Sequence, residues 1–448
     1  MKHVLSSFPI TPSELAVLAA ALLFAVIAPT AHAADAAPAR PAPVTPGLTK
    51  DREVTMKKIG ADDGLGESAE IRGVQAGPFD PVLWKAGTLH WVPNDPAPII
   101  EPLKTGSYRN TYAPSIVREK DGWRVFYGGW DGTRSWHDHV YSRVTADFRT
   151  FTDRRFLVRS GQFRHVNNCS AVKLPDGTYY MMATCRLESP PLNKPGCFRS
   201  PDAVTWNGKA PYAAREADLI KLDGYEGFAG ADINGMNVML HEDGVFRLYF
   251  CNFRERGSVW RASSKDGASY RLDGVALKAG AVVNDVKKFA AGGRTSYLMA
   301  LHMNGNKLWY SLSADGMKFA PMKKLTDNQG AFDRYMVAVG WVCDDTAVYG
   351  YLYGAGAVQS LNQNRIFAKW LQKRVEFVSG GKVAGRCTAA SGPDRARMKL
   401  PAGGLTGRFR VFAEDGRSRL CESGEVTVRP GEVWELAPRP VADQRPAL

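Results

Sequence analysis

Between residues 108 and 378 the chain alternates short apolar runs with polar turns, and the same order of runs keeps returning. Tight turns fall at Asp121-Gly122, Asp176-Gly177, Asp243-Gly244, Gly292-Gly293 and Asp344-Asp345. After each turn comes an aromatic run: WRVFYGG, TYYMMAT, VFRLYFCN, TSYLMALH and AVYGYLYG. Before each comes a shorter one: APSIV, CSAVKL, MNVML, VKKFA and VAVGWV. Alternation, with β-branched and aromatic enrichment, predicts a strand on both sides of every turn. A third strand follows in each case: HVYSRVT, GCFRS, SVWRASS, KLWYSLS and RIFAKW.

Four of these third strands run into one turn pattern: TADFRTF, SPDAVTW, SKDGASY and SADGMKF. In each an Asp stands four positions before an aromatic (Asp147/Phe151, Asp202/Trp206, Asp266/Tyr270, Asp315/Phe319). A carboxylate in a turn accepts backbone N–H groups, and the aromatic pins the next strand, so these Asp residues are read as scaffold. Units recurring at intervals of about fifty residues, each of three or four antiparallel strands, predict an all-β fold, a five-bladed β-propeller. The starts of the inner strands then gather at one mouth of the central channel.

Outside the repeat, strand-like segments with Gly-rich turns at residues 379–440 predict a small C-terminal β domain, sandwich-like. Residues 51–378 are assigned to the propeller, with an N-terminal segment that wraps it or supplies a closing strand. LAVLAAALLFAVI (Leu15–Ile27) is an apolar run of signal-peptide length, and Ala31-His32-Ala33 supplies a small-x-small cleavage site. Residues 1–33 are therefore expected to be a signal peptide, with a weakly basic start at Lys2 and His3, followed by an Ala/Pro-rich linker over 34–50. That places the chain outside the cytoplasm, secreted or periplasmic, with no membrane attachment after cleavage.

The net charge is +13. The basic residues form no long run and no nucleic-acid motif, so a diffusely basic protein is expected, without a nucleic-acid partner. The chain has seven Cys. Export permits disulfides, with Cys387–Cys421 and Cys185–Cys197 as the pairs suggested by segment, and Cys251 packing as a small hydrophobe. No Cys or His spacing supports a zinc site. No cofactor is expected to be required, although a structural Ca²⁺ suits a channel rich in oxygen ligands.

The units resemble the five-bladed propellers of the arabinanase/levansucrase/invertase superfamily of glycoside hydrolases. The resemblance rests on YAPSIVREKDGWRVFYGGWDG, NNCSAVKLPDGTYYMMA and SADGMKF. It implies carboxylates projecting from the starts of the early inner strands, one of them an Asp before a Pro. Here Ala113-Pro114 stands at the first place, and Asn167, Asn168 and Ser170 at the second. The family's acids therefore do not carry over at these positions. Glycoside cleavage uses two carboxyl groups, and the remaining candidates are Asp232 and Asp285, which open inner strands, and Glu226 on the Gly-rich loop before Asp232. Asn110, Trp130, Asp131, His137, Asp138, Asn168 and Asn234 are candidate substrate contacts, because amides both donate and accept and Trp offers a stacking face. Asp80, Asp95, His139, Arg109 and Arg164 are weaker candidates. The leading expectation is a glycosidase acting on a carbohydrate polymer through paired carboxylates at the mouth. A non-catalytic glycan-binding propeller, a sialidase-like enzyme and a protein-interaction propeller are the alternatives.

Overall fold

The computed structural model describes residues 52–72, 79–92, 97–102, 110–130, 138–291, 293–359, 363–390, 396–412 and 419–438. They are almost wholly β. The repeat forms five sheets whose main strands pair antiparallel in chain order, with the short strands Tyr212–Ala213 and Lys221–Asp223 added parallel at the outer edges of the first and third. The first sheet is Thr111–Glu119, Gly122–Trp130, Asp138–Thr145 and Arg155–Arg159. The second is His165–Lys173, Tyr179–Arg186 and Asn193–Ser200. The third is Ile233–Glu242, Val245–Asn252, Ser258–Ser264 and Ser269–Lys278. The fourth is Val282–Ala291, Arg294–His302, Lys307–Ser313 and Lys323–Asp327. The fifth is Tyr335–Cys343, Val348–Gly356 and Arg365–Trp370. In the third sheet's hairpin Asp243 and Gly244 sit at φ 52° and 72°, the left-handed pair that matches strand twist.

The first strands touch one another in a cycle, first to second and onward to the fifth, which returns to the first. Apolar clusters fill each gap in the same order. Phe126 and Val140 meet Met181 and Phe198 between the first and second sheets. Tyr180 and Met182 meet Met239 and Phe250 between second and third. Val238 and Tyr249 meet Val286 and Met299 between third and fourth. Leu298 and Tyr310 meet Trp341 and Tyr351 between fourth and fifth, and Val342 and Leu352 meet Val125 and Tyr127 between fifth and first. Successive residues of one second strand thus serve opposite clusters, as Tyr180 and Met181 do, which is why those strands read as continuous apolar runs instead of alternating ones. Where the fifth first-strand meets the first, Gly340 is required by space: a Cβ there would lie 2.2 Å from the Pro114 carbonyl oxygen and 2.6 Å from Ile116 Cδ1.

The four Asp turns are built as the sequence predicts. Asp147, Asp202, Asp266 and Asp315 each accept the backbone N–H groups two and three residues on, at 2.7–2.9 Å. The Thr205 and Ser269 N–H groups lead in holding the Asp202 and Asp266 carboxyls down to about 2. The aromatic four places on is buried in three cases: Trp206, Tyr270 and Phe319.

The N-terminal strands join the C-terminal ones in a separate nine-stranded sheet. Arg52–Ala61 lies between Arg419–Ser423 and Glu432–Pro438, and Ser68–Arg72 between Glu432–Pro438 and Ala396–Lys399. Gln372–Ser379 also belongs here, paired with Lys382–Ala390 and Leu405–Phe412. Ile71, Phe377, Met398, Phe409 and Leu436 share its core. Between these parts, Asp80 caps the helix Pro81–Ala86 through Val82 N–H at 2.8 Å. Trp84 on that helix packs edge-on against Tyr310 and Trp341 at 5.3 and 5.5 Å. Trp91 and Ile100 then bridge to Leu371 and Ile366, so this stretch runs beside the third strand of the fifth sheet.

The disulfide expectation is corrected: neither expected pair is joined. Cys387 and Cys421 are separated in register by Val375 and Val411 on two intervening strands. That is about 14 Å at the usual strand spacing, twice the reach of a disulfide. Cys185 faces Lys194, whereas Cys197 faces Met182, so the second pair is out of register along the ladder.

Candidate functional site

All five first strands carry an irregularity near their starts, where the register slips: at Tyr112/Ser115, Asn167/Ser170, Asn234/Val238, Val283/Asp285 and Met336/Ala338. A bulge bends the strand and re-aims side chains. Two residues inside these bulges, Ala113 and Asn168, adopt φ of 53° and 48°.

The residues just before the bulges converge. Tyr112 donates its phenol proton to Asp138 Oδ2 at 2.8 Å, and Asn167 Nδ2 reaches Tyr112 Oη at 2.5 Å and Asp138 Oδ2 at 3.0 Å. Burial first, and the Asp138 charge second, push the Tyr112 phenol well above its ordinary range, so it stays a donor. Asn168 Nδ2 donates to Asn234 Oδ1 at 3.2 Å, tying the second sheet to the third. One step further round, Asp232 Oδ1 accepts both the backbone N–H of Asn193 at 2.9 Å and its Nδ2 at 2.7 Å. Asp138 and Asn193 each open the third strand of their sheet, so one geometric pattern appears twice with acid and amide exchanged: Asp138 to Asn167, Asn193 to Asp232.

The residue after each bulge has a different task. Ser115 Oγ accepts Ala171 N–H and Ser170 Oγ accepts Met239 N–H, both at 3.0 Å. Asp285 occupies the matching place in the fourth sheet: its Oδ2 accepts Trp341 N–H at 2.9 Å, and its Oδ1 faces the Lys287 ammonium at 3.3 Å. It is a buried inter-sheet tie. The bulge residue next to it, Asn284, is buried against the ring of His302, with nitrogen contacts of 2.8 and 3.0 Å. Burial pushes His302 down to about 4.

The other sequence candidates divide. Glu226 is exposed on the loop that ends at Asp232. Asn110 is buried as a backbone clasp, its Oδ1 accepting Asn364 N–H at 3.0 Å and its carbonyl accepting Trp130 N–H at 3.2 Å. Trp130 is 3% exposed, so it packs in the interior and presents no stacking face to solvent. His139 is buried against Phe156, its Nδ1 accepting Ser160 N–H at 3.0 Å. Arg164 is exposed. Asp131 and His137, with Asp95 and Arg109, lie outside the described residues. Tyr112, Asn193 and His165 are the contributors that the sequence reading passed over. The third strand of the second sheet begins at Asn193, three residues before the GCFRS run that marks it in sequence, so Asn193 and Lys194 read as loop. Among the described residues no group of three His, Cys, Asp or Glu is placed to hold a metal ion, and no helix is long and apolar enough to cross a membrane.

No protein-family model matches the sequence, and no curated protein matches it. Solved structures similar in backbone course include glycoside hydrolases. The catalytic domain of the Coprinopsis cinerea GH62 α-L-arabinofuranosidase is 12% identical, with 63% of this chain and 97% of that one covered, at a TM-score of 0.45. The Podospora anserina α-L-arabinofuranosidase, solved with cellotriose, is 12% identical over 63% and 96%, at 0.43. A glycosyl hydrolase from Bacteroides ovatus is 11% identical over 62% and 93%, at 0.43. These likenesses are distant.

Proposed function

We propose that the chain is an exported hydrolase of glycosidic bonds in an oligo- or polysaccharide, with its five sheets arranged as the blades of a propeller. One observation carries the reading: Asp232, held by the Asn193 amide of the second sheet, ends the loop that presents the exposed Glu226 carboxyl, beside a rim otherwise supplied with amides and a phenol. Two carboxyl groups flanking a bond are what glycoside hydrolysis uses, and amides with a phenol recognise sugar hydroxyls. Asp232, half-buried at the end of its loop, is the carboxylate that meets the anomeric centre. Glu226, exposed on the same loop, is the carboxyl that protonates the leaving oxygen on this reading. Asp138, buried behind Tyr112 and Asn167, orients the sugar through them. Asp285 has no part in the chemistry on this reading. Phe332 and Met303, exposed at 59% and 46% on loops at the strand-start ends of the fifth and fourth sheets, offer apolar surface to a sugar face.

The test is release of reducing sugar from a panel of arabinose-, fructose- and galactose-containing glycans. Asp232→Asn should lower turnover at least 100-fold with an unchanged melting temperature; full activity in that variant removes Asp232 from the mechanism. The engagement of Asp138 and Asp285 in protein contacts favours one second reading, a glycan-binding module. Saturable binding without product release after long incubation would select it.

A further inference from the structure

We propose that Asn193 and Lys194, adjacent residues opening the third strand of the second sheet, are positioning residues that hold the Asp232 carboxylate and its loop in a single working geometry. The inference rests on the glycosidase reading of Asp232 and deepens it.

The loop from Tyr225 to Asp232 belongs to the third sheet, yet much of its anchorage comes from the second. Lys194 is 6% exposed, and its ammonium donates to the carbonyls of Phe228, Ala229 and Ala231. Those three acceptors lie on and just after the short 3-10 turn Phe228–Gly230, and the ammonium also stands 4.8 Å from the Phe228 ring centre. Asn193, 1% exposed, donates twice to one oxygen of Asp232, from its backbone and from its side chain. Its own Oδ1 faces His165 Nε2 at 3.4 Å. With the ring nitrogen donating, the amide can point only one way, with its NH₂ toward Asp232. From the third sheet, Asn252 Oδ1 accepts Asp232 N–H at 3.1 Å, and Asn252 Nδ2 reaches Tyr225 Oη at 2.9 Å. The loop is therefore clasped at its start, middle and end, while Glu226 and Gly227 stay exposed.

A lysine buried by three carbonyls costs desolvation, and burial does lower its ammonium, with Asp232 acting in the opposite direction. A purely structural clasp of this turn needs no charge. A charge beside a carboxylate that must be held steady is useful for catalysis, because small displacements of a reacting group cost large factors in rate. The charged and titratable groups around Asp232 are Lys194 and, beyond it, Arg254; His165 through Asn193; Glu255 through Tyr225 and Asn252; and Glu226 on the same loop.

Asn193→Asp places a second carboxylate against Asp232 Oδ1. Two such groups cannot both ionise freely, so the acid limb of the kcat/KM–pH profile should move up by at least one pH unit. Asn193→Ala and Lys194→Met should lower kcat about 10–100-fold, the scale of losses when groups that orient a site are removed, with KM changed less than threefold and with partial recovery in Lys194→Arg. An unmoved acid limb in Asn193→Asp, or unchanged kcat in Asn193→Ala, overturns the proposal while leaving the glycosidase reading standing. A wild-type chain that releases no sugar defeats that reading instead. The coupling is then read directly by carboxyl-carbon NMR titration, with the Asp232 signal assigned by its absence in Asp232→Asn. A raised Asp232 midpoint in Asn193→Asp upholds the coupling, and an unmoved one refutes it.

Discussion

Asp285 shows how far a residue's role depends on neighbours that the sequence does not display. It opens an inner strand, like Asp232, and in sequence the two look alike. Only the register slips reveal that Asp285 is equivalent to Ser115 and Ser170, whose hydroxyls tie each first strand to the next. An Asp at that place also answers the half-buried Lys287. Removing the buried member of such a pair leaves the Lys287 ammonium and the Trp341 N–H without their partner. Asp285→Asn should therefore lower the melting temperature clearly, while the protein that remains folded keeps its turnover per molecule. Asp232→Asn should do the reverse. Tyr112 and Asn193 were hidden for another reason: an aromatic or an Asn at a strand end is ordinary in any β protein, and only the partner across the sheet boundary gives it meaning.

At the scale of the strand and turn, far more was legible. At Asp243-Gly244, φ above zero is a local demand that marks the hairpin, and the Asp-plus-aromatic turns are closed by their own backbone N–H groups. Neither needs tertiary information. Spatial closeness does need it, and Gly340 is the example. Its φ is unremarkable, and it is Gly only because the fifth and first inner strands approach there. Gly340→Ala should force a shift at the Pro114 carbonyl and destabilise the fold by about 1–3 kcal/mol, as overpacking of a filled interior does. Chemical denaturation with an unchanged slope would register that as a shift of midpoint. An unchanged midpoint would mean that this seam yields easily.

Across the whole molecule, the repeat announced five sheets because each unit carries the same local signals. The nine-stranded sheet was only partly visible, since its register joins residues 52–72 to residues 372–438 and no local pattern encodes a pairing so distant in sequence. The interior of the ring also has a pH signature. Burial pushes His302 in the folded chain down to about 4, from an ordinary value of 6.5. Between these values the unfolded chain binds a proton that the folded one refuses, so stability falls as pH drops from 6.5 toward 4, and this contribution then levels off. His241, lowered chiefly by burial, acts in the same direction. In His302→Asn the slope of melting temperature against pH in that window should be shallower than in the wild type; an identical slope would show that His302 is not the group responsible.

The central claim is that the rim between the first and third sheets cleaves glycosidic bonds through Asp232. Its most direct test is product release from a glycan panel by the wild type and Asp232→Asn, measured side by side at equal folded concentration. The account predicts measurable sugar release by the wild type and at least a hundredfold less by the variant, with both melting at the same temperature. Equal release by the two proteins, or none by the wild type on any glycan it binds, would contradict it.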